Sequence, residues 1–173
     1  MRSIVFGFSR PRKWKPFAAL IMWNDKTDYS HAYIKFPSPR WQSGFIYQAA
    51  GSATHFNGQE AFEKINVVVS EWQINVPSEI EAYIGRMCLD REGKPYAFKQ
   101  VCGICYVRFM WLVFGKTVKN PWATGDDETD CIEEVAYVLR QGLQIKAPFD
   151  MDSITPKPFH DWLTKLSNIQ RVR

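Results

Sequence analysis

The chain has 173 residues, 46% hydrophobic and 15% aromatic, with a net charge of +4. This composition excludes intrinsic disorder and supplies enough apolar side chains for one core of ordinary domain size. Four cysteines are too few for a disulfide scaffold at this length, and no secretory leader is visible. The most apolar run, residues 101–114, is interrupted by Gly103 and Arg108 and falls short of the roughly 18 residues that a membrane span requires. It reads as a buried helix. The expectation is a single domain over residues 1–173, without a transmembrane segment, in a reducing, cytoplasmic setting. The basic residues near the start (Arg2, Arg10, Arg12, Lys13, Lys15) and at the end (Arg171, Arg173) read as a solvated surface. No nucleic-acid partner is expected, because no basic helix is interleaved with aromatics.

In chain order, residues 3–9 form a first strand candidate, and residues 16–23 a short helix or extended apolar segment. Residues 30–36 alternate in strand fashion and stop at Pro37. Residues 45–50 make a second short strand closed by Gly51, and the turn-rich Pro37-Ser38-Pro39-Arg40 between them predicts an antiparallel pair. Residues 58–65 fit a short helix. Residues 67–76 are the longest strand candidate, with Val68, Trp72, Ile74 and Val76 on one face. Ser78 with Glu81 three residues on suggests a capping box for a helix ending near Glu92-Gly93. Helices follow over residues 97–114, from Cys131 to about Gly142, and over residues 158–166, with a polar loop at 120–128. Strands first and helices after give an α+β class, a small antiparallel sheet packed against helices.

The chemistry concentrates at Thr129-Asp130-Cys131-Ile132-Glu133-Glu134-Val135. Asp130 can cap the helix and Glu133 can reach back to complete the box. Ile132, Val135, Ala136 and Leu139 give that helix one buried face, with Cys131 in its first turn. A thiol there feels the positive end of the helix dipole, which favours the thiolate, while Asp126-Asp127-Glu128 opposes it. Most helical cysteines are small apolar fillers, so the residue also needs a base. Of three histidines, His31 on a strand has the rigid placement that proton transfer requires. His55, in a predicted loop, is the second candidate for the base, and His160 falls on the last helix, at the surface. Gln48, on the neighbouring strand, could orient the imidazole of His31 through its amide oxygen.

These pieces resemble the circularly permuted papain-like superfamily, the NlpC-type amidases and peptidases, including members similar to lecithin:retinol acyltransferase. The likeness lies in Tyr29-Ser30-His31-Ala32-Tyr33-Ile34, in Phe45-Ile46-Tyr47-Gln48-Ala49-Ala50-Gly51, in the Gly93-Lys94-Pro95-Tyr96 turn and in Asp130-Cys131-Ile132-Glu133-Glu134-Val135, with Ser153-Ile154-Thr155-Pro156 beyond. Ile132 stands where the family commonly has a small residue, and Gln48 where it often has an acid. The resemblance implies a permuted papain-like arrangement and a cysteine hydrolase acting on an amide bond of a peptide or peptidoglycan. Cys131 would be the nucleophile in a thiolate–imidazolium pair with His31, and Gln48 the third residue. Lipid acyltransferase or thioesterase activity on an acyl-lipid, or a non-catalytic binding role, are its alternatives. No cofactor is implied. Cys102-Gly103-Ile104-Cys105 has the spacing of half a zinc site, but no second pair accompanies it, so no metal is expected. Phe109, Met110, Trp111 and Phe114 read as core.

Overall fold

The computed structural model describes residues 1–38, 43–116, 118–122, 127–149 and 154–173. Residues 39–42 of the predicted turn, 123–126 of the polar loop and Ser153 lie outside them, as does the side chain of Arg108. The chain is α+β. Its elements run β1 (Arg2–Pro11), α1 (Pro16–Asp25), β2 (His31–Ser38), β3 (Ser43–Ala50), β4 (Ala53–Gly58), α2 (Gln59–Ile65), β5 (Asn66–Val76), α3 (Ser78–Asp90), α4 (Phe98–Phe114), α5 (Cys131–Leu143), α6 (Pro156–Leu163) and β6 (Gln170–Arg171). The strands form one antiparallel sheet in the order β4-β3-β2-β1-β5-β6.

Period-two alternation divides the side chains between two faces. On one, Ile4, Phe6, Phe8, Ala32, Ile34, Tyr47 and Ile74 pack against Ile132, Val135 and Leu139 of α5, Ile84 of α3 and Phe159 of α6. On the other, Tyr33, Ile46 and Phe62 form a smaller cluster under α2, joined by Val68. Gly7 sits beneath the Tyr33 ring, where a Cβ would fall 2.1 Å from Cζ. That contact lets the ring lie across β1 and hydrogen-bond Glu71 at 2.8 Å.

Several expectations are corrected. Val68 does not share a face with Ile74, because the β1–β5 register slips between Phe8 and Ser9 and one extra residue inverts the alternation. Ser78 and Glu81 form no capping box. Pro77 is the cap position, its carbonyl accepts the Ile80 and Glu81 amides, and Glu81 pairs with Arg2 at 3.7 Å. His55 is on strand β4, which pairs with β3 along its whole length. The last helix begins at Pro156, two residues before Pro158, since both prolines suit a first helical turn. His160 is not at the surface; it is partly buried among Phe8, Tyr29 and Trp72, at ring distances of 4.8, 5.2 and 6.0 Å.

The largest departure is α4. Only its first turns are buried, at Val101 and Ile104, and its far half projects, with Phe109, Trp111 and Phe114 54%, 48% and 58% exposed. Composition does not distinguish an apolar helix that is covered from one that is not. Among the described residues no helix is long and apolar enough to cross a membrane.

Candidate active site around Cys131

Helix α5 starts as its sequence dictates. Asp130 Oδ1 accepts the amides of Ile132 and Glu133 at 2.7 and 2.9 Å, and Glu133 Oε2 accepts the Asp130 amide at 3.0 Å. Gln100 of α4 hydrogen-bonds Glu133, fixing the two helices together. One turn into α5, Glu134 is 1% exposed and accepts from Arg91 Nε and Nη2, at 2.6 and 2.8 Å, and from the hydroxyls of Tyr47 at 2.9 Å and Thr129 at 3.2 Å. A buried carboxylate requires this many donors. The network clamps α5 to β3 and to the end of α3, and so sets where the thiol sits.

Cys131 is buried, and its sulfur receives backbone N–H groups from Ala32 on β2 and from Cys131 and Ile132 at the helix start. The Tyr96 hydroxyl interacts with the same sulfur. Tyr96 is held there by backbone bonds: Thr129 N–H to Pro95 O at 3.0 Å and Ala97 N–H to Thr129 O at 3.0 Å place residues 95–97 alongside the approach to α5. The thiol therefore meets the sheet at the amide next to His31, beyond the end of the β2–β3 pairing at Ile34 and Tyr47.

His31, Gln48 and His55 come together in a directed chain. Gln48 lies directly opposite His55 across β3–β4, and His31 Nε2 is 2.7 Å from Gln48 Oε1. Gln48 Nε2 is 3.2 Å from His55 Nε2, and His55 Nδ1 is 3.0 Å from the Ala53 carbonyl. A carbonyl only accepts, so His55 carries its proton on Nδ1 and its Nε2 accepts from the Gln48 amide. The Gln48 oxygen then accepts from His31 Nε2–H. Neutral His31 is left with its lone pair on Nδ1, the form a general base needs. No hydrogen bond joins the His31 ring to the thiol among the described residues. Tyr96 was not read from the sequence as a member of the site, and His55 only as the second candidate for the base. The Gly-x-x-Tyr turn carried a signal for the first, and the strand that presents the second was not recognised.

Burial governs both titrations. Loss of solvent, then the Asp130 carboxylate, pushes the Cys131 thiol up to about 12, against the backbone amides that favour the thiolate. Loss of solvent lowers His31 to about 4, opposed by Gln48 and aided by His55 and Lys15. The resting pair is thus thiol and neutral imidazole. Desolvation thus works against the thiolate–imidazolium pair that the family resemblance implies. If the chain turns over a substrate, a base deprotonated down to about pH 4 predicts an acid limb of kcat/KM there, well below the ordinary imidazole range, and the native protein is expected to show no thiolate ultraviolet absorbance near neutrality. An acid limb near the ordinary imidazole value, or thiolate absorbance at neutral pH lost in Cys131→Ser, refutes this assignment.

A small cleft opens at the sulfur. Ile21, Val101, Ile104, Ile132 and Ile154 make its walls mostly apolar, and Ser30, Tyr96 and Asp130 supply polar groups beside Cys131. Among the described residues no group of three or more His, Cys, Asp or Glu side chains is placed to hold a metal ion.

No protein-family model matches the chain, and no curated protein matches it. Among solved structures, a protein described as metalloprotein yiiX from Escherichia coli O157:H7 is similar over 99% of this chain and 95% of its own, with a TM-score of 0.59 and 15% identity. At that identity the likeness extends to the fold, the α+β sheet-and-helix arrangement described above.

Proposed function

We propose that the chain is a cysteine hydrolase of permuted papain-like arrangement, with Cys131 as nucleophile, His31 as general base and Gln48 as the group that orients it. The observation that carries this reading is the hydrogen-bond chain from His31 through Gln48 and His55 to Ala53, which leaves His31 Nδ1 as an acceptor one residue from the amide touching the sulfur. The thiol gives its proton to His31 as the sulfur attacks a carbonyl carbon. The negative oxygen that forms is stabilised by the Cys131 amide at the helix start, and the Tyr96 hydroxyl is a second donor on the same side. The imidazolium protonates the departing amine or alcohol, leaving a thioester on Cys131. Water, deprotonated by His31, then hydrolyses it. The separation of ring and thiol in the free protein is ordinary, since catalytic hydrogen bonds tighten when substrate is bound.

The lining of the cleft bears on the choice of substrate. An amide bond of a peptide or peptidoglycan remains the first reading for the scissile bond. The apolar walls favour a donor whose acyl side is itself apolar, and this supports the acyl-lipid alternative. Incubation with activated esters of increasing chain length, followed by mass spectrometry, tests both. The expected result is a thioester adduct on Cys131 that increases with chain length and is absent from His31→Ala. Adducts on the more exposed Cys102 or Cys105 instead, or an adduct unaffected by His31→Ala, would sink the proposal.

A further inference from the structure

We infer that Ser30 and Asn24 form a polar subsite beside Cys131, which takes a second amide group of the substrate next to the carbonyl attacked. The inference rests on the hydrolase reading and names its substrate class, a peptide-like chain with apolar side chains. Both residues line the cleft at Cys131, whose walls are otherwise mostly apolar. Tyr96 and Asp130, also in the lining, are already engaged, at the sulfur and at the cap of α5. Ser30 is 7% exposed, and its hydroxyl makes no hydrogen bond among the described residues. A buried hydroxyl without a partner costs free energy, which a ligand that pairs with it restores.

The backbone places both side chains. The Ser30 N–H donates to Ser9 O at 3.0 Å, which carries the ladder with β1 one residue ahead of β2. Ser30 and Ala32 then share one face of the strand, about 7 Å apart. The Ala32 amide touches the sulfur. Two residues of extended chain cover that distance, so a substrate whose carbonyl meets Cys131 brings a neighbouring peptide group to Ser30. Asn24 stands one turn from Ile21 on α1, and both line the cleft, so this side of α1 faces it. Asp25 sets the orientation of the amide. Asn24 Nδ2 donates to Asp25 Oδ1 at 3.2 Å, and Asp25 Oδ2 accepts the Lys157 amide at 3.0 Å. A carboxylate accepts, so the nitrogen of Asn24 is turned to it, and Oδ1 is left without a donor among the described residues. Asn24 thus calls for an N–H, and the Ser30 hydroxyl can donate to a carbonyl. A secondary amide supplies both. A bare acyl chain supplies neither and leaves Ser30 unpaired, which is the strongest ground for rejecting a ligand in an apolar site. The apolar walls are left for the side chain beside that amide.

The test measures binding to full-length Cys131→Ala protein by chemical-shift titration, without turnover. The ligands are N-acetyl-L-leucine methylamide and the depsipeptide that has oxygen in place of its acetamido N–H. The expected result is that the amide shifts resonances of the cleft, Ile21 and Ile104 among them, and binds about tenfold tighter than the depsipeptide. Asn24→Ala, added to this protein, is expected to abolish that difference. Ser30→Ala is expected to weaken the amide about tenfold, with unchanged circular dichroism. Equal binding of amide and depsipeptide overturns the inference, as do shifts confined to residues away from the cleft, or no binding. So does a preference that survives both substitutions. An acyl methylamide of equal length without the second amide, bound as tightly, overturns it in favour of an acyl-lipid substrate. The hydrolase reading is judged separately, by the thioester adduct on wild-type Cys131. An adduct without the amide preference removes the subsite alone, and the preference without an adduct leaves a peptide-binding cleft and removes the hydrolysis.

Discussion

Cys131→Ala and His31→Ala are each expected to lower kcat by roughly 10⁴- to 10⁶-fold on any ester or amide that the wild-type chain turns over. The two residues act as one unit, so the double variant should be no slower than the worse single variant. In Cys131→Ala there is no sulfur to acylate. In His31→Ala the thiol remains, but burial holds it near 12, and near neutrality almost none is ionised. Gln48→Ala should fall between these variants and the wild type, because it frees His31 Nε2 to exchange tautomers and so removes part of the population with an open Nδ1. Steady-state rates with an activated ester, on variants matched by circular dichroism, make the comparison. Hydrolysis that survives Cys131→Ala would refute Cys131 as the nucleophile.

The second large effect is on stability. Arg91→Ala leaves the carboxylate of Glu134 buried without its bidentate partner and is expected to cost about 3–5 kcal/mol. Arg91 also stacks over Tyr137, with Cζ 3.9 Å from the ring centre, so some packing is lost as well. In a chain of this size the melting temperature should drop by about 6–20 °C. Tyr47→Phe removes one hydrogen bond of the same network and should cost only about 1 kcal/mol. Urea unfolding of both variants checks the ratio. Equal, small losses would show that Glu134 is not held as a charge.

What the sequence disclosed about the site was local. The Asp130–Glu133 box, the first-turn place of Cys131 and the strand under His31 follow from spacing within a few residues. Gln48 was legible because a short antiparallel pair brings two such strands side by side. Strand β4 was missed because His55 and Asn57 interrupt its apolar pattern, and its pairing with β3 is supplied by a partner. The face of Val68 depended on a bulge against β1, a strand far away in sequence. His160 owes its burial to Phe8 and Trp72 on β1 and β5, which no local pattern on α6 could disclose. Desolvation of Cys131 and His31 is likewise a product of packing, and it works against the charge state that the family resemblance implies.

The chain order of the sheet and α5 bears on synthesis. Five of the six strands are complete at Val76, yet the helix that covers much of their apolar face begins only at Cys131, about 55 residues later, or roughly 3–11 seconds at ordinary ribosome speeds. During that interval Phe6, Ile34 and Tyr47 lack the cover that α5 will provide. The thiol arrives on the same helix that ends this exposure, so Cys131 reaches its place only as the sheet beneath it is covered.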